Sequence, residues 1–143
     1  MKWITREKVK VDRVACPWLI QRFIDPQAEF FLPADTDWSS IANGTLYDVP
    51  NCELGHHGED VLFDSILKKY QLNDPALHLL AEIVRAADSH PSMPHRAGEG
   101  LRWIAHGFSA LGLSDHDILS REFIVYDALF AECQRRVASG EER

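Results

Sequence analysis

From residue 75 to residue 138, apolar side chains recur at helical spacing, and this constrains the fold more than any other feature. One stripe is Leu77, Leu80, Ala81, Val84 and Ala87; another is Ile118, Val125, Tyr126, Leu129 and Cys133. Stripes of this period must face a core. Four helices are predicted. The first spans about 60–70, with Glu59 and Asp60 at its positive end. The second is capped by Asn73 or Asp74, with Pro75 just inside, and runs to about Asp88. After a Pro- and His-containing loop over 89–98, the third spans 99–111 and stops at Gly112. Ser114, with Asp117 three residues on, opens the last, which runs to about Ala138.

The N-terminal part reads differently. Residues 2–11 alternate and read as a strand. Residues 12–15 read as a turn. Pro17 suits the first position of a helix, which makes Cys16 the N-cap of a segment running to about Ile24, where Asp25-Pro26 stops it. Strands are expected over 28–32 and 45–49, with a short helix over 37–42. The expected class is α+β: a small N-terminal sheet, antiparallel or mixed, with a mainly helical C-terminal bundle. Residues 1–143 are expected to form one domain.

Formal net charge is −7, which disfavours non-specific nucleic-acid or acidic-membrane binding. The basic run Lys2, Arg6, Lys8, Lys10 and Arg13 is a local exception, equally readable as a lysine-protected edge strand. The N-terminal MKWITREKVKVDR has no apolar core of a signal peptide, and no apolar run is long enough to span a bilayer. A cytoplasmic protein with reduced Cys16, Cys52 and Cys133 is therefore expected. The partner expected is a small anionic substrate or ligand; a homodimer is left open.

Three acids sit where helical stripes point inward. Asp88 lies four residues past Val84, Glu122 lies inside the last stripe, and Asp127 borders it. A carboxylate facing a core must be paired, hydrogen-bonded, protonated or metal-bound. The plain structural alternative is a pair with Arg85, Arg102 or Arg121.

Gly55-His56-His57-Gly58-Glu59-Asp60 places two imidazoles and two carboxylates within five residues. That donor set suits Zn, Fe, Mn or Ni, and it leaves open positions for substrate or water. One segment supplies too few ligands alone, and a polar turn leading into an acidic helix start is the competing reading.

In Asp12-Arg13-x-x-Cys16-Pro17-Trp18-x-x-x-Arg22, a cysteine at a helix N-terminus beside Arg13 would be activated as a thiolate. The same N-terminus with Arg13 and Arg22 could cradle an oxyanion. The alternative is a buried Cys16 among core residues Trp18, Leu19 and Phe23, with Arg22 paired to Asp12 or Asp25. Physics alone favours the alternative.

Residues 2–6 (Lys-Trp-Ile-Thr-Arg) and 11–26, from Val11-Asp12-Arg13 through Cys16-Pro17-Trp18 to Asp25-Pro26, resemble the chromate-resistance protein family. The likeness is to the C-terminal domain of its ChrB-type members. It continues through Ala28-Glu29-Phe30, Tyr47-Asp48-Val49-Pro50, His56-x-Gly58-Glu59, Phe63-Asp64, Ile83-Val84-Arg85-x-Ala87-Asp88 and Tyr126-Asp127-Ala128-Leu129-Phe130. The resemblance implies a role in bacterial chromate resistance. ChrB-type proteins are described as chromate-responsive regulators, and some members are fused to sulfurtransferase domains. The matching polar positions are Asp12, Arg13, Cys16, Arg22, His56, Glu59, Asp64, Arg85, Asp88 and Asp127. Glu122 lies outside that pattern, and His57 stands where arginine is common.

These readings combine into a set of expectations. The domain handles an oxyanion or redox substrate with a divalent transition metal (Zn, Fe or Mn). His56, Glu59 and Asp88 hold the metal. Asp12, Arg13, Arg22 and Arg85 bind the substrate, and Cys16 acts as reductant or as a supporting thiol behind the metal ligands. The alternative is a non-enzymatic chromate sensor. The roles of Asp64, Glu122 and Asp127 stay open.

Overall fold

A computed structural model describes residues 2–4, 11–31, 45–46, 62–88 and 94–141. The elements are β1 (Lys2–Ile4), α1 (Val11–Leu19), a π-helical turn (Ile20–Ile24), β2 (Glu29–Phe31), β3 (Thr45–Leu46), α2 (Leu62–Lys69), α3 (Pro75–Asp88), α4 (Arg96–Ala110) and α5 (Asp115–Ser139).

The described residues are mainly helical, which corrects the α+β expectation. Strand pairing among the described residues is confined to three very short segments. They run parallel, in the order β2-β1-β3, with Trp3 opposite Phe30 and Thr45. Parallel pairing follows from the intervening helix, since a chain returning through a crossover re-enters in the same direction. Segments this short cannot form a core layer of their own. The expected short helix over 37–42 lies outside the described residues, as do residues 47–49 of the third strand.

The second correction concerns Pro17. The helix starts at Val11, so residues 12–15 are helical and Pro17 lies inside it. Asp12 in the first turn favours that start, because a carboxylate complements the positive end of the helix dipole. Pro17 has no N–H to give the ladder. Just beyond it the helix widens, and the Asp25 N–H bonds the Ile20 carbonyl at 2.7 Å, the π spacing.

Helix α1 is buried almost all round: Val14, Ala15, Cys16 and Leu19 have no exposed surface, nor has Ile20 just beyond it. It packs against α5, α2 and α3. A helix apolar on every side belongs in an interior. Trp18 anchors it, with ring centroids 5.6 Å from Phe130, 5.7 Å from Phe23 and 6.1 Å from Tyr126. Such aromatic contacts add about 0.5–1.5 kcal/mol each beyond area burial.

The C-terminal helices match their expected spans closely. Helix α4 starts at Arg96 rather than Glu99, because the His95 imidazole caps it: Nδ1 accepts the Ala97 N–H at 3.1 Å. Ser114 caps α5 by accepting the Asp117 N–H at 3.2 Å. Gly98 lets α3 and α4 approach closely, since a Cβ there would sit 2.7 Å from Ala86 Cβ. No described helix is long and apolar enough to cross a membrane.

Candidate functional site

The site forms where α1, α2 and α5 meet, and Asp12 is its hub. Its side chain leaves the first turn of α1 and is 3% exposed. Oδ2 accepts the Leu62 N–H at 2.8 Å, and Oδ1 accepts the Phe63 N–H at 3.3 Å. These are amides of the first turn of α2, which have no partner within their own helix. Asp12 therefore caps α2 from another helix, with its charge at the favourable end of that dipole.

Oδ1 also accepts the Cys16 S–H at 3.1 Å. Cys16 is thus one turn into α1, fully buried, and bonded to a carboxylate. The expected helix-N-terminal placement is not what the fold provides. A thiol that donates a hydrogen bond is in its protonated form.

Helix α5 closes the site. The Tyr126 O–H donates to the Val11 carbonyl at 3.2 Å. Burial, then Glu122, Asp12, Cys16 and Asp88 around it, holds the Tyr126 hydroxyl well above its usual range. Glu122 is 1% exposed, and among the described residues neither carboxyl oxygen has a hydrogen-bond partner. Burial pushes its pKa up to about 7. The helical stripe flagged Glu122 as inward-facing; the family pattern set it aside. Asp88, half-buried at the end of α3, completes this acid-rich neighbourhood.

The other expected residues are placed elsewhere. Asp64 on α2 takes a two-pronged ion pair from Arg85 on α3, at 3.0 and 3.3 Å, largely shielded from solvent. Arg22 makes a similar pair with Asp127, both contacts 3.0 Å, and Trp18 Nε1 donates to the same carboxylate at 2.8 Å. That pairing keeps Asp127 below the usual carboxyl range and raises Arg22. Asp127, rather than Asp12 or Asp25, is the acid that pairs with Arg22. Arg13 is half-buried in the first turn of α1. His56 and Glu59 lie outside the described residues. Among the described residues, no three His, Cys, Asp or Glu side chains come together as metal ligands.

The Trp18–Asp127 bond and the Tyr126–Val11 bond were not anticipated. Both tie α5 to α1. Their signal was present only as two aromatic residues with polar ends inside apolar stripes, which require buried partners.

The sequence of this domain has counterparts among known proteins. The family described as ChrB, C-terminal domain, matches residues 3–133, and the chain belongs to it. Protein ChrB of Cupriavidus metallidurans is 31% identical over 131 residues, which covers 90% of this chain and 40% of that protein. The chain therefore spans less than half the length of that relative. No solved structure matches.

Proposed function

We propose that this domain serves chromate resistance as a module that binds an anionic ligand without turning it over. Membership of the ChrB C-terminal family supports the chromate link. One observation carries the choice of binding over catalysis: Cys16 has no exposed surface and spends its proton on Asp12. A reductant must reach its oxidant, and this thiol is buried.

The acid-rich neighbourhood bears on where an anion can sit. Asp12, Glu122 and Asp88 would repel a dianion in a low-dielectric interior. A divalent transition metal held by Asp88 with His56 and Glu59 would reverse that sign. The donor chemistry fits such an ion in kind, and the Glu122 carboxyl, without a hydrogen-bond partner among the described residues, is consistent with a missing positive charge. When bound, the metal would supply the positive charge that an oxyanion needs. Arg13, Arg22 and Arg85 are the cations proposed to neutralise the ligand. Asp127 and Asp64 compete with it for two of them.

Equilibrium dialysis against chromate, with sulfate as competitor, tests the reading. The expected result is saturable binding that survives Cys16→Ser. Metal analysis of protein purified without chelator adds the second arm. Bound metal should fall in His56→Ala, and equal metal content in both proteins would remove His56 from the ligand set.

A further inference from the structure

Helix α4 has two apolar faces. The inner one buries Gly98, Leu101 and Ala105. The outer one is open to solvent and consists of Gly100, Trp103, Ile104, Gly107, Ala110 and the C-cap Leu111. Their spacing of three, four and seven residues puts them in one stripe along the helix. Trp103 is 73% exposed, Leu111 66% and Ile104 42%. A contiguous exposed stripe with large apolar side chains marks a contact surface.

The glycines of this stripe lack an internal reason. Gly98 is explained by its close approach to Ala86. A Cβ at Gly100 or Gly107, by contrast, would meet nothing within 4 Å among the described residues. Neither has a positive φ. Glycine inside a helix is destabilising relative to alanine. A second helix approaching from outside supplies the reason, because a missing Cβ shortens the distance between axes and leaves a notch for a large side chain.

Trp103 is already oriented for such a contact. Its indole N–H donates to Glu99 Oε1 at 3.1 Å, and Arg102 donates to the same oxygen at 2.6 Å. An anchor held in place before association loses less freedom on binding, and tryptophan is the commonest kind of anchor.

The order of residues selects the occupant. Reversed, the stripe nearly matches itself. Two α4 helices laid antiparallel, about a two-fold axis near residues 103 and 104, set Gly100 opposite Gly107 and Trp103 opposite Ile104. Along one border of the stripe, Glu99 comes level, within about one residue, with His106 of the second copy, so an acid meets an imidazole twice. Contact between identical surfaces requires this self-matching, whereas an unrelated partner does not. The net charge of −7 sets two copies to repel. The stripe carries no charge, and the Glu99 carboxylate beside it is matched by Arg102 of its own chain.

We infer that this protein forms a reversible two-fold homodimer through antiparallel pairing of α4, with Trp103 of each copy seated between Gly100 and Gly107 of the other. Pairing these faces buries on the order of 1,000 Å² in total, the lower limit for a specific contact. The dimer is therefore weak, with a Kd on the order of tens of micromolar. It does not depend on anion binding.

Sedimentation equilibrium of the full chain, from about 1 to about 500 μM, tests this. Wild type should follow a monomer–dimer equilibrium. Trp103→Ala should weaken it at least tenfold, as loss of a central anchor does. Gly107→Leu separates close helix pairing from general stickiness. Leucine favours the helix and adds apolar surface, yet it fills the notch, so dimerisation should also weaken at least tenfold. A wild type that stays monomeric throughout, and so leaves the stripe to some other partner, would overturn the proposal. So would a dimer unchanged by Trp103→Ala, or one unchanged or strengthened by Gly107→Leu. Circular dichroism checks that each variant keeps its helices; should one lose them, the other decides.

Discussion

The carboxylate of Asp12 and the backbone N–H of Leu62 meet at 2.8 Å, across fifty residues of chain. One side chain in the first turn of α1 thereby sets where α2 begins. The same carboxylate accepts from Phe63 N–H and from the Cys16 thiol. The most distinctive segment of the sequence is thus tied to the joint between α1 and α2.

Asp12→Ala should therefore cost more than an ordinary cap. It leaves two buried amides and one thiol without an acceptor, for a loss of about 2–4 kcal/mol. Asp12→Asn keeps an acceptor oxygen and should cost about half as much. Urea denaturation of both variants measures the difference; equal losses would show that the charge and the acceptor are not separable here.

Glu122 should make stability depend on pH. Its pKa in the folded protein, about 7, lies above the ordinary carboxyl value of 4.5. Between those values the folded state holds a proton that the unfolded state has released. Stability therefore falls as pH rises through that window and levels off above it. The full loss is on the order of 3 kcal/mol. Glu122→Gln should remove this dependence. Unfolding free energies of chelator-treated wild type and variant at about pH 5 and about pH 8 give the comparison. Parallel pH profiles would contradict the buried, unpaired state of Glu122.

Legibility in the sequence followed the range of the interactions. The spans of α3 and α5 could be read because Pro75, Ser114 and the apolar stripes act locally. The fold class could not. Residues 2–11 alternate like a strand, yet Val11 already begins α1, and the strand pairs are too short to make a layer. Pro17 misplaced the helix start because proline usually enters at the first turn, and only tertiary burial sustains it further in. The inward direction of Asp88 and Glu122 was readable from helical spacing. The partners of Asp12 were not, since its acceptors serve amides fifty residues away. The pairings Arg22–Asp127 and Arg85–Asp64 are long-range in the same sense.

The Arg22–Asp127 pair should be weak despite its geometry. Both side chains are more than a third exposed, and exposed pairs contribute about 0.2–1 kcal/mol. A double-mutant cycle with Arg22→Ala and Asp127→Ala should give a coupling in that range. Asp127→Ala alone should cost more than Arg22→Ala, because it also removes the acceptor of Trp18 Nε1.

Gly98 and Gly100 should respond in opposite directions to alanine. A Cβ at Gly98 collides with Ala86 Cβ and approaches the Ile83 carbonyl at 3.0 Å. Gly98→Ala should therefore destabilise by about 1–3 kcal/mol. At Gly100 a Cβ meets nothing within 4 Å, so Gly100→Ala should stabilise by about 0.5–1 kcal/mol through helix propensity. Thermal melts of the two variants check both signs.

The central claim, that the domain binds its anion without consuming it, is tested most directly by the fate of chromate. The protein is incubated with an equimolar amount of chromate, denatured, and the chromate remaining is measured by its absorbance. The account predicts full recovery of chromate from wild type and from Cys16→Ser, after saturable binding by both. Chromate consumed by wild type and spared by Cys16→Ser would contradict it and make Cys16 a reductant.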